Sequence, residues 1–256
     1  MVTTAQQRRS RREQLEAQRL AQAKKERRNR ILFVAVGVVV FAVVIGLGAW
    51  GFIAASTKGG TAVPPNANAA KTGVYVRTAD SATPAAGVPV LEEFVDYNCT
   101  ACRSANLTLS AAMDQAAKDG KIQLIIHPLS FEASTSRDAA IAATCADFQG
   151  KFVDYHNQLF IKQTSTGFDS TTLLTTIPDT INLTGDALTA FTNCFNNKDT
   201  GKFIDSTARF GAKENVRQTP TFRLDGVDIT QQIWNKDTKT YDPDLLRSVI
   251  ANGPAK

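Results

Sequence analysis

The chain has 256 residues, 43% of them hydrophobic, which is enough for one sizeable folded domain with additional segments. Its formal net charge of +5 comes from the N-terminus: residues 1–30 hold 10 of the 29 Lys and Arg residues against three acidic ones, and residues 31–256 carry a net charge of −2. The basic balance therefore gives no reason to expect nucleic-acid binding by the folded part.

Residues 31–55 form an apolar run without a charged side chain. A helix of this length, at about 1.5 Å per residue, crosses a hydrocarbon core of about 30 Å. The run is longer than the roughly 7–15 apolar residues of a cleaved signal peptide, so we predict a single-pass transmembrane anchor. The positive-inside rule then makes residues 1–30 a cytoplasmic tail and places the remaining chain outside the cytoplasm, at the cell membrane.

Residues 56–73 have the Gly, Pro, Ala and Asn content of a flexible linker, and the folded domain is predicted over residues 74–256. A strand is predicted over 90–97, a helix over 99–119 and a second strand over 121–126. A strand, a helix and a strand in this order predict a right-handed crossover between two parallel strands.

Helical periodicity recurs in the next part of the chain and predicts a helical insertion over about 134–198. A further helix is predicted over 199–214. Asp225 and Gly226 are typical of a two-residue β-hairpin turn, and Asp242 is predicted to cap a final helix that begins at Pro243. The predicted fold class is therefore α/β.

The sequence Cys99-Thr100-Ala101-Cys102 lies at the predicted junction of strand and helix. Two thiols three residues apart on the first helical turn share one face and are able to form a disulfide. The free N–H groups and positive dipole end of the helix favour a thiolate at Cys99, and Cys102, one turn further in, is expected to be more buried. This arrangement indicates a dithiol redox site.

The four cysteines form an even set in what we predict to be an oxidising compartment. Three pairings are possible, and the short spacing favours Cys99–Cys102, which leaves Cys145–Cys194 as a structural disulfide. A second redox pair at Cys145 and Cys194 is the alternative. Zinc is disfavoured because neither these two cysteines nor the two histidines form a second close pair of ligands.

The chain resembles the membrane-anchored, DsbA-like thiol–disulfide oxidoreductases of the thioredoxin superfamily found in Gram-positive and especially actinobacterial envelopes. Three ordered motifs carry the resemblance: the stretch Glu93–Cys102, the helix Lys151–Phe160 and the segment Gln218–Gly226. The resemblance implies a thioredoxin-like fold with an inserted helical domain. It requires neither a cofactor nor a metal.

The resemblance also assigns roles to three further residues. Pro220 would be a cis-proline that faces the dithiol, and Thr219 and Pro220 would offer backbone groups to an extended substrate peptide. Glu93 would be a buried acid that relays the proton of Cys102, although an exposed carboxylate at a strand end is the alternative.

The expected function is that of an extracytoplasmic oxidase, which donates the Cys99–Cys102 disulfide to cysteine-containing secreted or envelope proteins. A quinone-linked membrane protein of the vitamin K epoxide reductase or DsbB type would reoxidise it. One alternative is a membrane-tethered disulfide reductase or isomerase. An alternative of another class is a redox-inert thioredoxin-fold scaffold that binds a partner.

Overall fold

The computed structural model of the chain describes residues 59–76 and 87–255. The predicted basic tail and the predicted transmembrane segment lie outside these residues. No helix within the described ranges is long and apolar enough to cross a membrane. The anchor over residues 31–55 therefore stays a prediction.

The helices and strands follow the predicted order, with a few additions. In chain order they are β1 (Val74–Tyr75), β2 (Val90–Val95), α1 (Thr100–Lys118), β3 (Gln123–Pro128), α2 (Ser136–Asp147), α3 (Phe152–Lys162), a π-helical turn (Thr172–Thr176), α4 (Ile177–Thr180), α5 (Gly185–Asn197), α6 (Gly201–Lys213), β4 (Thr221–Leu224), β5 (Val227–Asp228), β6 (Trp234–Asn235), β7 (Thr240–Tyr241) and α7 (Pro243–Asn252).

The main sheet has the strand order β1-β3-β2-β4-β5, so β2 lies at its centre. Strand β2 pairs in parallel with β3, as predicted from the strand–helix–strand pattern, and antiparallel with β4. Helix α1 connects the parallel pair and buries Cys102, Leu109 and Met113 in the hydrophobic core. These positions recur at helical spacing, so one face of α1 lies in the core.

The helices from α2 to α5 lie between β3 and α6, in the part of the chain where the insertion was predicted. Their buried side chains, among them Tyr155, Phe160 and Phe191, belong to the same hydrophobic core as those of the sheet and α1. The Tyr155 hydroxyl donates to the Leu173 carbonyl at 2.7 Å and so ties α3 to the π-helical turn.

The segment predicted as a flexible linker is part of the folded domain from Gly59 onward, which corrects that prediction. Gly59 approaches Gly201 so closely that a Cβ there would lie 2.7 Å from its Cα atom. The Gly60 amide donates to the Lys198 carbonyl, and Asn66 donates twice to the Asp147 carboxylate. Small residues suit a linker, but here they permit close backbone packing.

The C-terminal part adds a hairpin, β6–β7, that the sequence analysis did not predict. The last helix begins as predicted, because the Asp242 carboxylate accepts hydrogen bonds from the amides of Asp244 and Leu245. Tyr241 at the end of the hairpin packs edge-to-face on Phe222 of β4 and on Trp234.

Candidate active site

Cys99 occupies the turn between the central strand and helix α1. It is the N-cap residue of α1, with the extended backbone angles φ −75° and ψ 119°, and its sulfur accepts a hydrogen bond from the Cys102 amide at 3.3 Å. A cap side chain normally satisfies one of the free N–H groups at a helix start. At this position the capping atom is a sulfur, so the helix start stabilises its anionic form.

The Cys99 thiol is 7% exposed and donates a hydrogen bond to the Thr219 carbonyl oxygen at 3.2 Å. A hydrogen bond from the Cys102 thiol, with contributions from Thr219 and from the backbone amides of Cys102 and Ala101, lowers the pKa of Cys99 to about 6. Burial acts in the opposite direction but does not prevail. Cys99 is therefore largely a thiolate at neutral pH.

Cys102 has the opposite character. It is fully buried, and burial, followed by its hydrogen bond to Cys99, raises the pKa of its thiol well above the usual range. Both cysteines are free in this structure. The site therefore pairs a thiolate that is 7% exposed with a fully buried protonated thiol, and Cys102 is the more buried of the two, as expected from their positions on the helix.

Strand β4 brings Thr219 and Pro220 to the dithiol, because it pairs directly with β2. The Thr219–Pro220 peptide bond is cis, as the resemblance implied. The Thr219 hydroxyl is buried without a conventional hydrogen-bond partner among the described residues. Its proton is free to turn toward a thiolate, and the side chain contributes to lowering the pKa of both cysteines.

Glu93 points into the core from the middle of β2, where it lies opposite Ile126 on β3 and Phe222 on β4. It is 0% exposed, and neither carboxylate oxygen has a hydrogen-bond partner among the residues that the structure describes. Burial, and secondarily the charge of Asp114, raise the pKa of Glu93 to about 8. Its position excludes the alternative of an exposed carboxylate; the proton-relay role remains a prediction.

A cavity of about 10 Å³ adjoins Glu93, and Asn106, Asp114 and His156 also line it. This volume corresponds to about one water molecule, and its polar lining suits one. The Asn106 amide donates to His156 Nε2 at 3.2 Å, so the other ring nitrogen carries the proton and donates to the Tyr97 hydroxyl at 3.0 Å. Burial lowers the pKa of His156 to about 3, so this histidine is a neutral, packed residue.

Asp96, which directly follows β2, is completely buried. Its carboxylate accepts hydrogen bonds from the Ser136 hydroxyl, from the Asn98 amide and from the amides of Phe131 and Glu132. Asp96 therefore fixes the loop after β3 beside the strand–helix junction. A polar residue directly after a buried strand was the only sequence signal for this role.

Gln163, which directly follows α3, is a second residue that the sequence analysis missed. Its side chain donates to the backbone carbonyls of Tyr97 and Cys99. The signal was weak, because nothing in the local sequence of a helix end identifies a partner more than 60 residues away.

Cys145 on α2 and Cys194 on α5 form a disulfide that joins two helices of the insertion. This is the predicted pairing. The bond lies in a buried region and joins two residues that are 49 positions apart in the sequence. No group of three His, Cys, Asp or Glu side chains within residues 59–76 and 87–255 is arranged to hold a metal ion.

A dithiol at the start of a helix that follows a central strand, opposite a proline loop of the neighbouring strand, defines a thiol–disulfide exchange protein. The comparisons with known proteins agree. A protein-family model described as thioredoxin matches residues 83–241. The chain belongs to the thioredoxin family. A search of curated protein sequences found no match.

Solved structures of thiol–disulfide oxidoreductases share the fold. The MdbA protein of Actinomyces oris is 17% identical, with a TM-score of 0.61 over 77% of this chain and 94% of that chain. MdbA of Corynebacterium diphtheriae is 13% identical, with a TM-score of 0.55 over 68% and 92%. DsbA of Mycobacterium tuberculosis is 20% identical, with a TM-score of 0.54 over 70% and 90%.

These similarities confirm the predicted mixed α/β, thioredoxin-like fold. The chain shares this fold with solved DsbA-like proteins, and it carries a free dithiol at the start of helix α1.

Proposed function

We propose that this chain is a membrane-anchored thiol oxidase of the cell envelope that transfers the Cys99–Cys102 disulfide to cysteine pairs of secreted or envelope proteins. The observation that carries the proposal is the position of the Cys99 sulfur at the start of helix α1, where it accepts a hydrogen bond from the Cys102 amide. This position agrees with a Cys99 pKa of about 6, beside a Cys102 thiol whose pKa is raised. A stabilised thiolate favours the reduced form over the disulfide, and a disulfide with a stabilised reduced form is a strong oxidant.

The reaction proceeds in two exchanges. A substrate thiolate attacks Cys99 Sγ, the bond to Cys102 breaks, and Cys102 leaves and takes up a proton. Glu93, whose pKa is raised to about 8 by burial, would supply that proton. The second substrate thiolate then attacks the substrate sulfur of the mixed disulfide, and Cys99 leaves as a thiolate, for which a low pKa is favourable. The substrate loses two electrons and the enzyme gains them.

A membrane partner would return the enzyme to its disulfide form. The reduced dithiol must pass on two electrons, and the partner that the family resemblance suggests is a quinone-linked membrane protein of the vitamin K epoxide reductase or DsbB type. The apolar run over residues 31–55 would hold the enzyme in the same membrane. The Cys145–Cys194 disulfide supports an oxidising compartment for the domain.

The chemistry is tested with the oxidised full chain and an equal amount of a reduced peptide that contains two cysteines. We expect nearly complete transfer of the disulfide to the peptide, no transfer by Cys99→Ser, and unchanged transfer by the double variant Cys145→Ser, Cys194→Ser. Electron flow that runs to completion from reduced enzyme to an oxidised peptide would select the reductase alternative. Full biological function of a variant with both Cys99 and Cys102 replaced by Ser would support the scaffold alternative.

The location is tested by adding a protease to the outside of cells whose wall has been removed. We expect degradation of the domain after residue 59 and protection of an epitope attached at the N-terminus. Protection of the domain would contradict an extracytoplasmic active site.

A further inference from the structure

The end of helix α3, in the helical insertion, reaches the strand–helix junction that carries Cys99. The Gln163 side-chain nitrogen donates one hydrogen bond to the Tyr97 carbonyl at 2.7 Å and another to the Cys99 carbonyl at 3.0 Å. Both hydrogens of its amide group are thereby used. One helical turn into α1, Arg103 Nε donates to the Phe160 carbonyl at 2.9 Å and adds a third link between the same two segments.

The two carbonyl oxygens have few other hydrogen-bond donors in the described part of the chain. Tyr97 is completely buried, and Gln163 is the only donor to its carbonyl in the described part of the chain. The Cys99 carbonyl also accepts the first hydrogen bond of helix α1, from the Arg103 amide at 3.1 Å. A buried carbonyl without a partner is unfavourable, so the turn would rearrange if Gln163 lost its donor group.

The orientation of this turn determines what the Cys99 sulfur contacts. The sulfur reaches the Cys102 amide only because Cys99 keeps the extended backbone of an N-cap residue. We propose that Gln163 is a positioning residue, which holds the Cys99 backbone so that the amides at the start of α1 point at the reactive sulfur. The helical insertion would then act directly on the reactivity of the dithiol.

The inference rests on the proposed function only in requiring that Cys99 reacts as a thiolate. It does not depend on the direction of electron flow or on the identity of the substrate.

The test is the rate of Cys99 alkylation by iodoacetamide as a function of pH, in the reduced full chain and in Gln163→Met. Methionine keeps the length of the side chain but has no donor. Gln158→Met, on the same helix at a position without a side-chain hydrogen bond in the described structure, is the matched control. We expect the inflection of the Gln163→Met profile at a higher pH than that of the wild type, with the Gln158→Met profile unchanged.

The size of the effect follows from the thiolate fraction. A rise of half a pH unit in the inflection gives an alkylation rate about threefold lower at pH 5 and the same rate at pH 9.5. A wild-type profile for Gln163→Met, with only a lower melting temperature, would overturn the inference, because it would show that the hydrogen bonds support folding alone. If Gln163→Met does not fold, Gln163→Asn is used instead, because its amide, one methylene shorter, stops short of the two carbonyls and should shift the inflection in the same direction.

The wild-type profile separates this inference from the proposed function. A wild-type inflection near pH 6 with no effect of Gln163→Met contradicts only the positioning role. A wild-type inflection near pH 9 would remove the low pKa on which the proposed oxidase function also depends.

Discussion

Replacement of Glu93 by Gln should change the pH dependence of stability more than any other substitution at the site. The carboxyl group is completely buried and has no hydrogen-bond partner within residues 59–76 and 87–255, and burial raises its pKa from 4.5 to about 8. The native state therefore keeps this proton at pH values where the unfolded chain has already lost it. Stability from this group is fully present below pH 4.5 and decreases as the pH rises through 8.

The magnitude follows from proton linkage. Between pH 5 and pH 7 the unfolded chain carries almost no proton on Glu93 and the native state carries nearly one, so stability falls by about 1.4 kcal/mol per pH unit. The decrease is smaller near pH 5, where the unfolded carboxyl is still partly protonated. Over the two pH units the wild type should lose about 2.5 kcal/mol that Glu93→Gln does not lose.

The assay is urea unfolding of the oxidised proteins at pH 5, 6 and 7, since in the oxidised form neither Cys99 nor Cys102 titrates. Glu132→Gln, at an exposed position, is the control and should follow the wild type at all three values. The difference in free energy of unfolding between Glu93→Gln and the wild type should grow with pH. A constant difference would refute the reasoning, because it would mean that Glu93 is ionised in the folded protein at pH 7.

Two further predictions concern the neighbours of the dithiol. Thr219→Val removes a hydroxyl that helps to lower the pKa of Cys99. The thiolate absorbance at 240 nm should therefore titrate at a higher pH than in the wild type. An unchanged titration would show that only the Thr219 carbonyl affects Cys99. Replacing both Cys145 and Cys194 by Ala should lower the free energy of unfolding by about 4 kcal/mol, because the disulfide closes a loop between residues 49 positions apart. The Cys99 titration should not change. A shifted titration would indicate that this pair takes part in the redox chemistry.

The active-site strand and helix were predictable because their signals are local. An apolar strand, two thiols three residues apart and a helix that follows them are all contiguous in sequence, and the Asp242 cap likewise depends only on the residues beside it. The pairing of Cys145 with Cys194 followed from the short spacing of the other two cysteines. These features require no knowledge of the tertiary structure.

The parts that were missed depend on distant partners. The segment from Gly59 was assigned to a linker because its small residues are also those that allow close packing. Contacts with distant residues such as Asp199 and Gly201 distinguish the two cases. His127, one residue beyond the predicted second strand, lies buried near the end of β3, with its ring nitrogens 2.7 Å from the Thr72 carbonyl oxygen and 3.1 Å from Glu92 Oε1. Each of these contacts joins residues 35 or more positions apart.

The central claim is that Cys99 and Cys102 form an oxidising disulfide, and a redox titration of the full chain against glutathione tests it most directly. The double variant Cys145→Ser, Cys194→Ser serves as the control that assigns the transition to Cys99 and Cys102. The account predicts a midpoint potential of about −120 to −180 mV, because the stabilised Cys99 thiolate favours the reduced form. A midpoint potential of about −270 mV would contradict the account and identify the chain as a reductant that must be supplied with electrons.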